Sequence, residues 1–374
     1  MGRKNILLVN NALVWGGAEK VLFQVADYLS QKDYDVTLAL LEDRVVDGAP
    51  KLSKEVRIIS CVRPTYLRKW SPQWMWFKWK QAVLLSFLRM KHYDVALTMR
   101  EGWYMEHTLR MNARRHIGWI HVDYDWLNRF FPLPPAPNYP VLNLLKRFDF
   151  VICTTEAVKD SIIRQVGNPG NLIAKYNPIN VKEILSLSME QPPEIQTMLK
   201  KKEGPLLVWV SRLGIYKGTK MLVECCRELS EQYSFTLWIV GDGAEKAPIE
   251  EYISQNNMNN VVMWGEKVNP YPFIKVADWF VSPSFGESYG LSIQEAMILN
   301  VPVLATTCAA LEECVPADKG ILVENSREGL MNGLKNILTH PEIGDAMKSK
   351  GTKGFGHETL YLKRLEEIES LIIQ

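Results

Sequence analysis

The fold is decided by the stretch Leu206-Leu207-Val208-Trp209-Val210-Ser211-Arg212-Leu213-Gly214-Ile215-Tyr216-Lys217-Gly218. Its first five residues are apolar and predict a buried strand, and the loop that follows contains Arg212 and Lys217. Ligands bind at the carboxyl ends of strands in open α/β sheets, so we expect both cations at a binding edge. A guanidinium and an ammonium can together bind a diphosphate. The alternative is a surface loop with two ordinary cations.

The same pattern of an apolar strand followed by an amphipathic segment recurs along the chain and is typical of parallel α/β sheets. The strands predicted in the first half are Ile6–Val9, Val36–Leu41, Val56–Ser60, Val95–Met99, Ile117–Ile120, Phe150–Thr154 and Leu172–Tyr176. Those predicted in the second half are Leu206–Val210, Phe235–Val240, Val261–Trp264, Trp279–Ser282, Val303–Thr306 and Ile321–Val323. Residues 177–204, which contain Pro178, Pro192 and Pro193, are interpreted as an interdomain linker.

A chain of 374 residues suits two domains better than one core. We predict two Rossmann-like, doubly wound α/β domains that face each other across a cleft. The N-terminal domain is placed at residues 1–185 and the C-terminal domain at residues 186–355. Residues 356–374 are predicted to form a helix that crosses back to the N-terminal domain.

A second motif, Pro283–Met297, carries two glutamates with seven residues between them, Glu287 and Glu295. Glu287 is expected in a loop, where its carboxylate can accept hydrogen bonds from sugar hydroxyls. Glu295 is expected one to two turns into the next helix, where it can bind both hydroxyls of a ribose. The backbone amides near Tyr289–Leu291 would begin this helix and could bind a phosphate oxygen. A capping or solvent-exposed role for Glu295 is the alternative, but its apolar neighbours disfavour it.

Three features of the first half are weaker signals. Gly16 and Gly17 follow the first strand and could let the backbone approach an anion, although a tight turn without ligand explains them equally well. They lack the dinucleotide fingerprint, which disfavours an NAD-dependent oxidoreductase.

His121 follows the strand Ile117–Ile120 and is either functional or structural. Asp123 and Asp125 form an Asp-x-Asp pair of the kind that holds a metal in other enzymes, and we interpret the pair as chance.

The charge balance limits the partners. A net charge of +2 gives no whole-protein attraction to nucleic acid. Twelve Lys or Arg and three acids lie between Arg57 and Arg115, which suits an anionic partner such as a phospholipid surface or a lipid pyrophosphate. A solvated basic face is the alternative. Residues 66–91 combine four tryptophans with cations, which predicts either a helix in a membrane interface or an aromatic lid over an acceptor site.

The six cysteines form no C-x-x-C pair and are interpreted as reduced cytosolic thiols. No apolar run is long enough to span a membrane, so we expect a cytoplasmic protein, peripheral on the membrane if residues 66–91 bind it.

Five motifs in a fixed order resemble glycosyltransferase family four: GGAE (16–19), SRLGIYKG (211–218), VGDG (240–243), ESYGLSIQEAM (287–297) and VPVLAT (301–306). This family consists of retaining enzymes of the GT-B fold. The chain departs from the usual pattern at Ser288-Tyr289, at Ser292 and at Ala309-Ala310, where Gly-Phe, Pro and Gly-Gly are common. The departures leave the charged residues intact and obscure the identity of the donor sugar.

The resemblance implies a role for each motif. Arg212 and Lys217 would bind the diphosphate of a nucleotide sugar, Glu287 the transferred sugar and Glu295 the ribose. His121 matches the family's histidine near the reacting carbon, and segment 266–269 would meet the nucleobase through its backbone. The remaining residues of the implied donor site are Gly16, Gly17, Gly241, Val268, Ser288, Tyr289, Gly290 and Leu291.

The implied reaction is retaining transfer of a sugar from a nucleoside-diphosphate sugar to a hydroxyl. UDP-sugars are favoured, and the expected acceptor is a glycan or lipid-linked molecule of polysaccharide, lipopolysaccharide or capsule synthesis. No cofactor and no divalent metal are expected. The alternatives are a non-catalytic protein that binds a sugar or nucleotide, and a sugar-nucleotide epimerase.

Overall fold

The computed structural model describes residues 3–12, 16–43, 52–63, 68–130, 140–352 and 358–373. The chain divides into two compact units, Met1–Ile179 with Tyr361–Gln374, and Asn180–Leu360. Within the described ranges, no helix is both long enough and apolar enough to cross a bilayer.

The first unit is a seven-stranded parallel sheet in the order β3-β2-β1-β4-β5-β6-β7. Its strands are β1 (Lys4–Asn10), β2 (Tyr34–Asp43), β3 (Arg57–Val62), β4 (Tyr93–Thr98), β5 (Ala113–Ile120), β6 (Phe150–Cys153) and β7 (Leu172–Ala174). Its helices are α1 (Gly17–Ser30), α2 (Pro72–Met90), α3 (Trp103–Thr108), α4 (Tyr124–Phe130), α5 (Pro140–Leu145) and α6 (Glu156–Val166).

The second unit is a six-stranded parallel sheet in the order β10-β9-β8-β11-β12-β13. The strands are β8 (Leu206–Val210), β9 (Thr236–Val240), β10 (Val261–Gly265), β11 (Trp279–Ser282), β12 (Val303–Thr306) and β13 (Gly320–Val323). The helices are α7 (Val181–Leu187), α8 (Pro193–Leu199), α9 (Thr219–Leu229), α10 (Lys246–Gln255), α11 (Tyr271–Lys275), α12 (Leu291–Ile298), α13 (Ala309–Cys314), α14 (Arg327–Thr339) and α15 (Pro341–Ser349). Helix α16 (Glu358–Ile373) ends the described chain.

All thirteen predicted strands are confirmed. They were recognisable because strands of parallel sheets are usually buried on both faces and therefore contain continuous apolar runs. Residues Ile6–Val9 of β1 and Leu206–Trp209 of β8 are fully buried. In each sheet the strand order reverses beside the first strand, between β1 and β4 and between β8 and β11. Such a reversal opens a crevice at the carboxyl ends of the strands, where ligands bind in this class of sheet.

The chain passes from the first unit to the second at Ile179–Asn180, inside the linker predicted at residues 177–204. Most of this region is helical, however, because it forms α7 and α8. The side chain of Asn180 accepts a hydrogen bond from the backbone N of Glu183 and caps α7. Pro193 is the first residue of α8, a position where the missing N–H of proline has no helical partner to lose. The prolines therefore begin a helix here.

The boundaries of the units differ by a few residues from those predicted. The first unit ends at Ile179, whereas residue 185 was expected, because α7 packs against α11 and α12 of the second unit. Most of α16 packs with the first unit, where the Glu369 carboxylate accepts hydrogen bonds from the hydroxyls of Tyr28 at 2.7 Å and Tyr34 at 2.8 Å. The buried side chains of this helix are Leu365, Ile368 and Ile372.

Gly241 provides a test of the turn after β9. Its φ is +144°, and a Cβ at this position would lie 1.8 Å from the carbonyl oxygen of Ser211. Gly241→Ala should lower the free energy of unfolding by about 3 kcal/mol or more, because strain and collision add. The matched control is Gly351→Ala, where φ is +63° but no atom lies within 4 Å. This control should cost about 1–2 kcal/mol in a denaturant titration; equal losses in the two variants would contradict the collision.

Candidate functional site

The loops after β8 and β11 meet at the reversal point of the second sheet. The backbone N of Phe285 donates to the carbonyl oxygen of Tyr216 at 3.0 Å. A Cβ on Gly218 would lie 2.0 Å from the carbonyl oxygen of Pro283, so only glycine permits this approach. The sequence therefore brings the Arg212–Lys217 loop and the Glu287 loop into direct contact.

An ion pair joins these two loops. The Nζ of Lys217 lies 2.5 Å from Oε1 of Glu287, and the Ser284 hydroxyl donates to the same oxygen at 2.8 Å. The two charged side chains are only 19% and 11% exposed, so the attraction between them is weakly screened by water. The carboxylate of Glu287 is thus held in one orientation at the edge of the sheet.

Two polar side chains fix the backbone that carries Glu287. The amide of Asn325 donates to the carbonyl oxygens of Phe285 and Thr307, each at 2.9 Å. The hydroxyl of Thr306, at the end of β12, donates to the carbonyl oxygen of Ser284 at 2.5 Å. Arg212 lies in the opposite loop with an exposed side chain. The site therefore combines one exposed cation with a rigid, paired carboxylate.

Glu295 lies in the second turn of α12, as predicted. It is only 4% exposed, which excludes the solvent-exposed alternative, and its Oε1 accepts a hydrogen bond from the Tyr271 hydroxyl at 3.3 Å. Tyr289 is 2% exposed and precedes Gly290, after which α12 begins at Leu291. Ser288 is partly exposed beside them.

Val268 projects from the segment after β10 and is 61% exposed. The next residue, Asn269, anchors this segment, because its side-chain amide donates to the carbonyl oxygen of Leu187 at 2.9 Å. Its carbonyl Oδ1 accepts from the backbone N of Tyr271 at 3.2 Å. The segment predicted to meet a nucleobase thus presents an apolar side chain from an anchored turn.

In the first unit, Gly16 and Gly17 begin α1. A Cβ on Gly16 would lie 2.3 Å from Oε2 of Glu19, so glycine leaves room for this buried carboxylate. Glu19 is 3% exposed and forms an ion pair with Arg100, whose Nε donates to Oδ1 of Asn11 at 3.2 Å. The buried carboxylate of Glu19 therefore explains why position 16 carries a glycine, independently of any role with a ligand.

His121 follows β5, and its backbone N donates to Oε1 of Glu101 at 2.9 Å. Its Nε2 is buried and has no hydrogen-bond partner among the described residues. Burial, aided by the positive charge of Arg100, lowers the pKa of His121 to about 3. Burial also raises the pKa of Glu101 above its ordinary value. The imidazole is therefore neutral at physiological pH.

The carboxylates of the Asp-x-Asp pair have structural partners. Oδ1 of Asp123 accepts from the backbone N of Asp125 at 2.8 Å and of Trp126 at 3.2 Å, at the start of α4. Asp125 pairs with Arg164, with a shortest contact of 2.5 Å. Within the described part of the chain, no group of three or more His, Cys, Asp or Glu residues is arranged to hold a metal ion.

Four polar residues near the reversal point of the first unit had no role predicted from the sequence, although one of them, Glu19, lies in the motif GGAE: Asn11, Glu19, Arg100 and Glu101. Arg100 and Glu101 follow β4 within three residues, and β4 is the neighbour of β1. Polar residues that follow two adjacent parallel strands were the sequence signal that could have indicated a shared site. Within each unit, the structure brings its own predicted residues to one edge of its sheet.

Two family models match the chain. The model described as Glycosyltransferase Family 4 matches residues 15–183, and the model described as Glycosyl transferases group 1 matches residues 204–340. An uncharacterized glycosyltransferase of Methanocaldococcus jannaschii is 30% identical over 168 residues, which are 44% of this chain and 41% of that protein. An alpha-monoglucosyldiacylglycerol synthase of Acholeplasma laidlawii is 24% identical over 262 residues, 67% of this chain and 65% of that protein. The match therefore spans less than two thirds of the length of each of these two relatives.

Similarity to solved structures extends over the whole chain. Anabaena HepE, crystallised in complex with UDP and glucose, aligns with a TM-score of 0.74 at 17% identity and covers 99% of each chain. At this low identity the similarity establishes the fold.

The buried His121 predicts a pH dependence of stability. The pKa of His121 is about 3 in the folded chain, whereas an unburied histidine, as in the unfolded chain, has a pKa of 6.5. As the pH falls, the unfolded chain therefore binds the proton first. The contribution of His121 to stability is complete above pH 6.5 and is lost toward pH 3, by up to about 1.4 kcal/mol per pH unit. His121→Asn should remove this slope from denaturant titrations, whereas His340→Asn, at an exposed position, controls for loss of an imidazole. An unchanged slope in His121→Asn would refute the buried neutral imidazole.

Proposed function

This chain belongs to glycosyltransferase family four and has the GT-B fold, and on that premise we propose its reaction. The chain transfers a sugar from a nucleoside-diphosphate sugar, preferably a UDP-sugar, to a hydroxyl of a glycan or lipid-linked acceptor. The acceptor belongs to cell-surface polysaccharide synthesis, including lipopolysaccharide or capsule, on the cytoplasmic face of the membrane. The binding of UDP and glucose by HepE and the lipid product named for the Acholeplasma relative support this choice.

The observation that carries the proposal is the pairing of Lys217 with Glu287 at the reversal point of the second sheet. Glu287 is oriented to accept hydrogen bonds from the transferred sugar, and the buried Glu295 is placed to bind the ribose hydroxyls. Arg212, exposed in the same loop as Lys217, adds a second positive charge for the diphosphate. The family resemblance also assigns His121 to the transferred sugar, as a neutral hydrogen-bonding group.

The chemistry follows from the charge that develops during transfer. The bond between the anomeric carbon and the diphosphate oxygen breaks, and a bond to the acceptor oxygen forms on the same face. A donor phosphate oxygen takes the acceptor proton, and no covalent carboxylate intermediate is required. Arg212 and Lys217 stabilise the departing diphosphate as preorganised donors. Because these cations supply the charge that a metal supplies elsewhere, we expect transfer without a divalent cation.

Transfer assays with single variants test the two cations. Thermal-shift screening of UDP- and GDP-sugars first identifies the donor. Arg212→Ala and Lys217→Ala should each lower kcat by about 10²–10³ with the fold intact, because each removes a contact to the developing charge. Lys217→Ala also removes the ion pair that orients Glu287. Lys220→Ala, an exposed lysine in the same unit, is the control and should retain full activity.

Four outcomes would contradict the proposed reaction. Full activity in Arg212→Ala and Lys217→Ala would show that the two cations are not needed for transfer. Loss of wild-type activity in EDTA would show that transfer requires a divalent metal. Donor binding without turnover on any glycan or lipid acceptor would identify a binding protein. Conversion of the donor without an acceptor would identify an epimerase.

Helix α2 supports the proposed membrane contact. Its buried face (Phe77, Gln81, Leu85, Leu88) packs toward β3, while a second apolar stripe is exposed. The stripe has helical spacing and consists of Trp76, Trp79, Val83, Phe87 and Met90. Tyr66 and Leu67, also in the predicted segment, lie outside the described residues.

Cations accompany this exposed stripe. Lys80 lies 5.3 Å from the ring centroid of Trp76, and Lys91 lies 4.6 Å from that of Phe87. Helix α2 contains no acidic residue. Exposed tryptophans with lysines beside them favour the interface of a bilayer that carries anionic lipids. We therefore place α2 on an anionic membrane surface, where a lipid-linked acceptor would reside.

Vesicle sedimentation tests this placement. The wild-type protein should bind vesicles that contain phosphatidylglycerol more tightly than pure phosphatidylcholine vesicles, and salt should weaken the binding. The double variant Trp76→Ser/Trp79→Ser should bind about tenfold or more weakly, since two large apolar groups no longer enter the interface. Leu362→Ser, an exposed apolar position on α16, should bind as wild type. Equal binding by the tryptophan variant, or none by wild type, would contradict the membrane contact.

A further inference from the structure

We propose that Tyr271 is a positioning residue that sets the selectivity of the donor site for ribose over 2′-deoxyribose. This inference rests on the proposed function, because it takes Glu295 as the ligand of the ribose. It concerns a residue outside the recognised motifs, at the first position of α11.

The hydroxyl of Tyr271 donates to Oε1 of Glu295 at 3.3 Å. The tyrosine is 7% exposed and the glutamate 4%, so water competes little for this hydrogen bond. A carboxylate on a buried helix face retains rotational freedom unless a neighbour fixes one of its oxygens. Tyr271 holds Oε1 and so contributes to setting where the other acceptor positions of the carboxylate point.

The position of Tyr271 is itself fixed. Its backbone N donates to Oδ1 of Asn269, whose amide donates to the carbonyl oxygen of Leu187 at the end of α7. Helix α7 packs against both α11 and α12, the two helices that carry Tyr271 and Glu295. The turn at 266–269, assigned to the nucleobase, and the ribose carboxylate are therefore joined through one tyrosine.

The selectivity follows from the number of hydrogen bonds that Glu295 accepts. An ionised carboxylate has about four acceptor positions, so a hydrogen bond from Tyr271 is compatible with hydrogen bonds from both ribose hydroxyls. A fixed carboxylate binds the 2′ and 3′ hydroxyls together, and a nucleotide without the 2′ hydroxyl leaves an acceptor unsatisfied. Without the tyrosine hydroxyl, the carboxylate loses a hydrogen bond that favours the orientation in which it meets both hydroxyls at once.

Calorimetric binding of UDP and 2′-deoxy-UDP tests this role, with the GDP pair used if only guanine nucleotides bind. The wild type should prefer the ribonucleotide about tenfold or more, since the hydrogen bond to the carboxylate is charge-assisted. In Tyr271→Phe the preference should fall to about twofold, through weaker UDP binding and unchanged 2′-deoxy-UDP binding. In the transfer assay, KM for the donor should rise while kcat at saturating donor stays the same.

Two further variants separate positioning from packing. Tyr233→Phe, a partly exposed tyrosine of the same unit, should keep the wild-type preference. Glu295→Gln should lose the preference even when Tyr271 is present. A Tyr271→Phe variant that binds UDP more weakly but keeps the wild-type preference would reduce Tyr271 to a packing residue and overturn the inference. A wild type that transfers sugar but does not distinguish the two nucleotides would overturn it and leave the proposed function standing, whereas absence of any nucleotide binding would overturn both.

Discussion

The ion pair between Lys217 and Glu287 is the interaction on which the second unit's binding edge depends. A carboxylate with so little exposure is costly to hold as a charge unless a cation and hydrogen-bond donors surround it. Lys217 and the Ser284 hydroxyl meet this requirement, and the close passage of Gly218 beneath Pro283 brings their loops together. Asn325 and Thr306 then secure the backbone on the side of β12. The orientation of Glu287 is therefore a consequence of folding, and a sugar that binds there meets a preformed acceptor.

The first unit places a charge pair at the equivalent point of its own sheet, with the signs exchanged. There the cation, Arg100, follows the strand beside β1, and the carboxylate, Glu19, lies in the helix after β1. In the second unit the cation follows β8 and the carboxylate follows β11. Both arrangements use the crevice that opens where the strand order reverses. The neighbouring His121 is kept neutral by burial and by this arginine.

The parts of this architecture that were predictable are those encoded within a few residues. The strands were recognised because apolar runs such as Ile6–Val9 are too short for a helix and are typical of buried strands. Arg212, Lys217, Glu287 and Glu295 were recognised because they lie in local motifs. The contact of Glu19 with Arg100 spans 81 residues and that of Tyr271 with Glu295 spans 24, so neither leaves a periodic signal. The prolines at 192–193 were interpreted as part of a linker. Proline is also common at the first position of a helix, and Pro193 begins α8.

A crystal structure with a bound nucleotide sugar would show whether two side-chain cations bind the diphosphate. We expect pyrophosphate oxygens at about 3 Å from both the Arg212 guanidinium and the Lys217 ammonium, with the transferred sugar against Glu287. A diphosphate bound through a metal ion, or one that touches neither cation, would contradict this expectation.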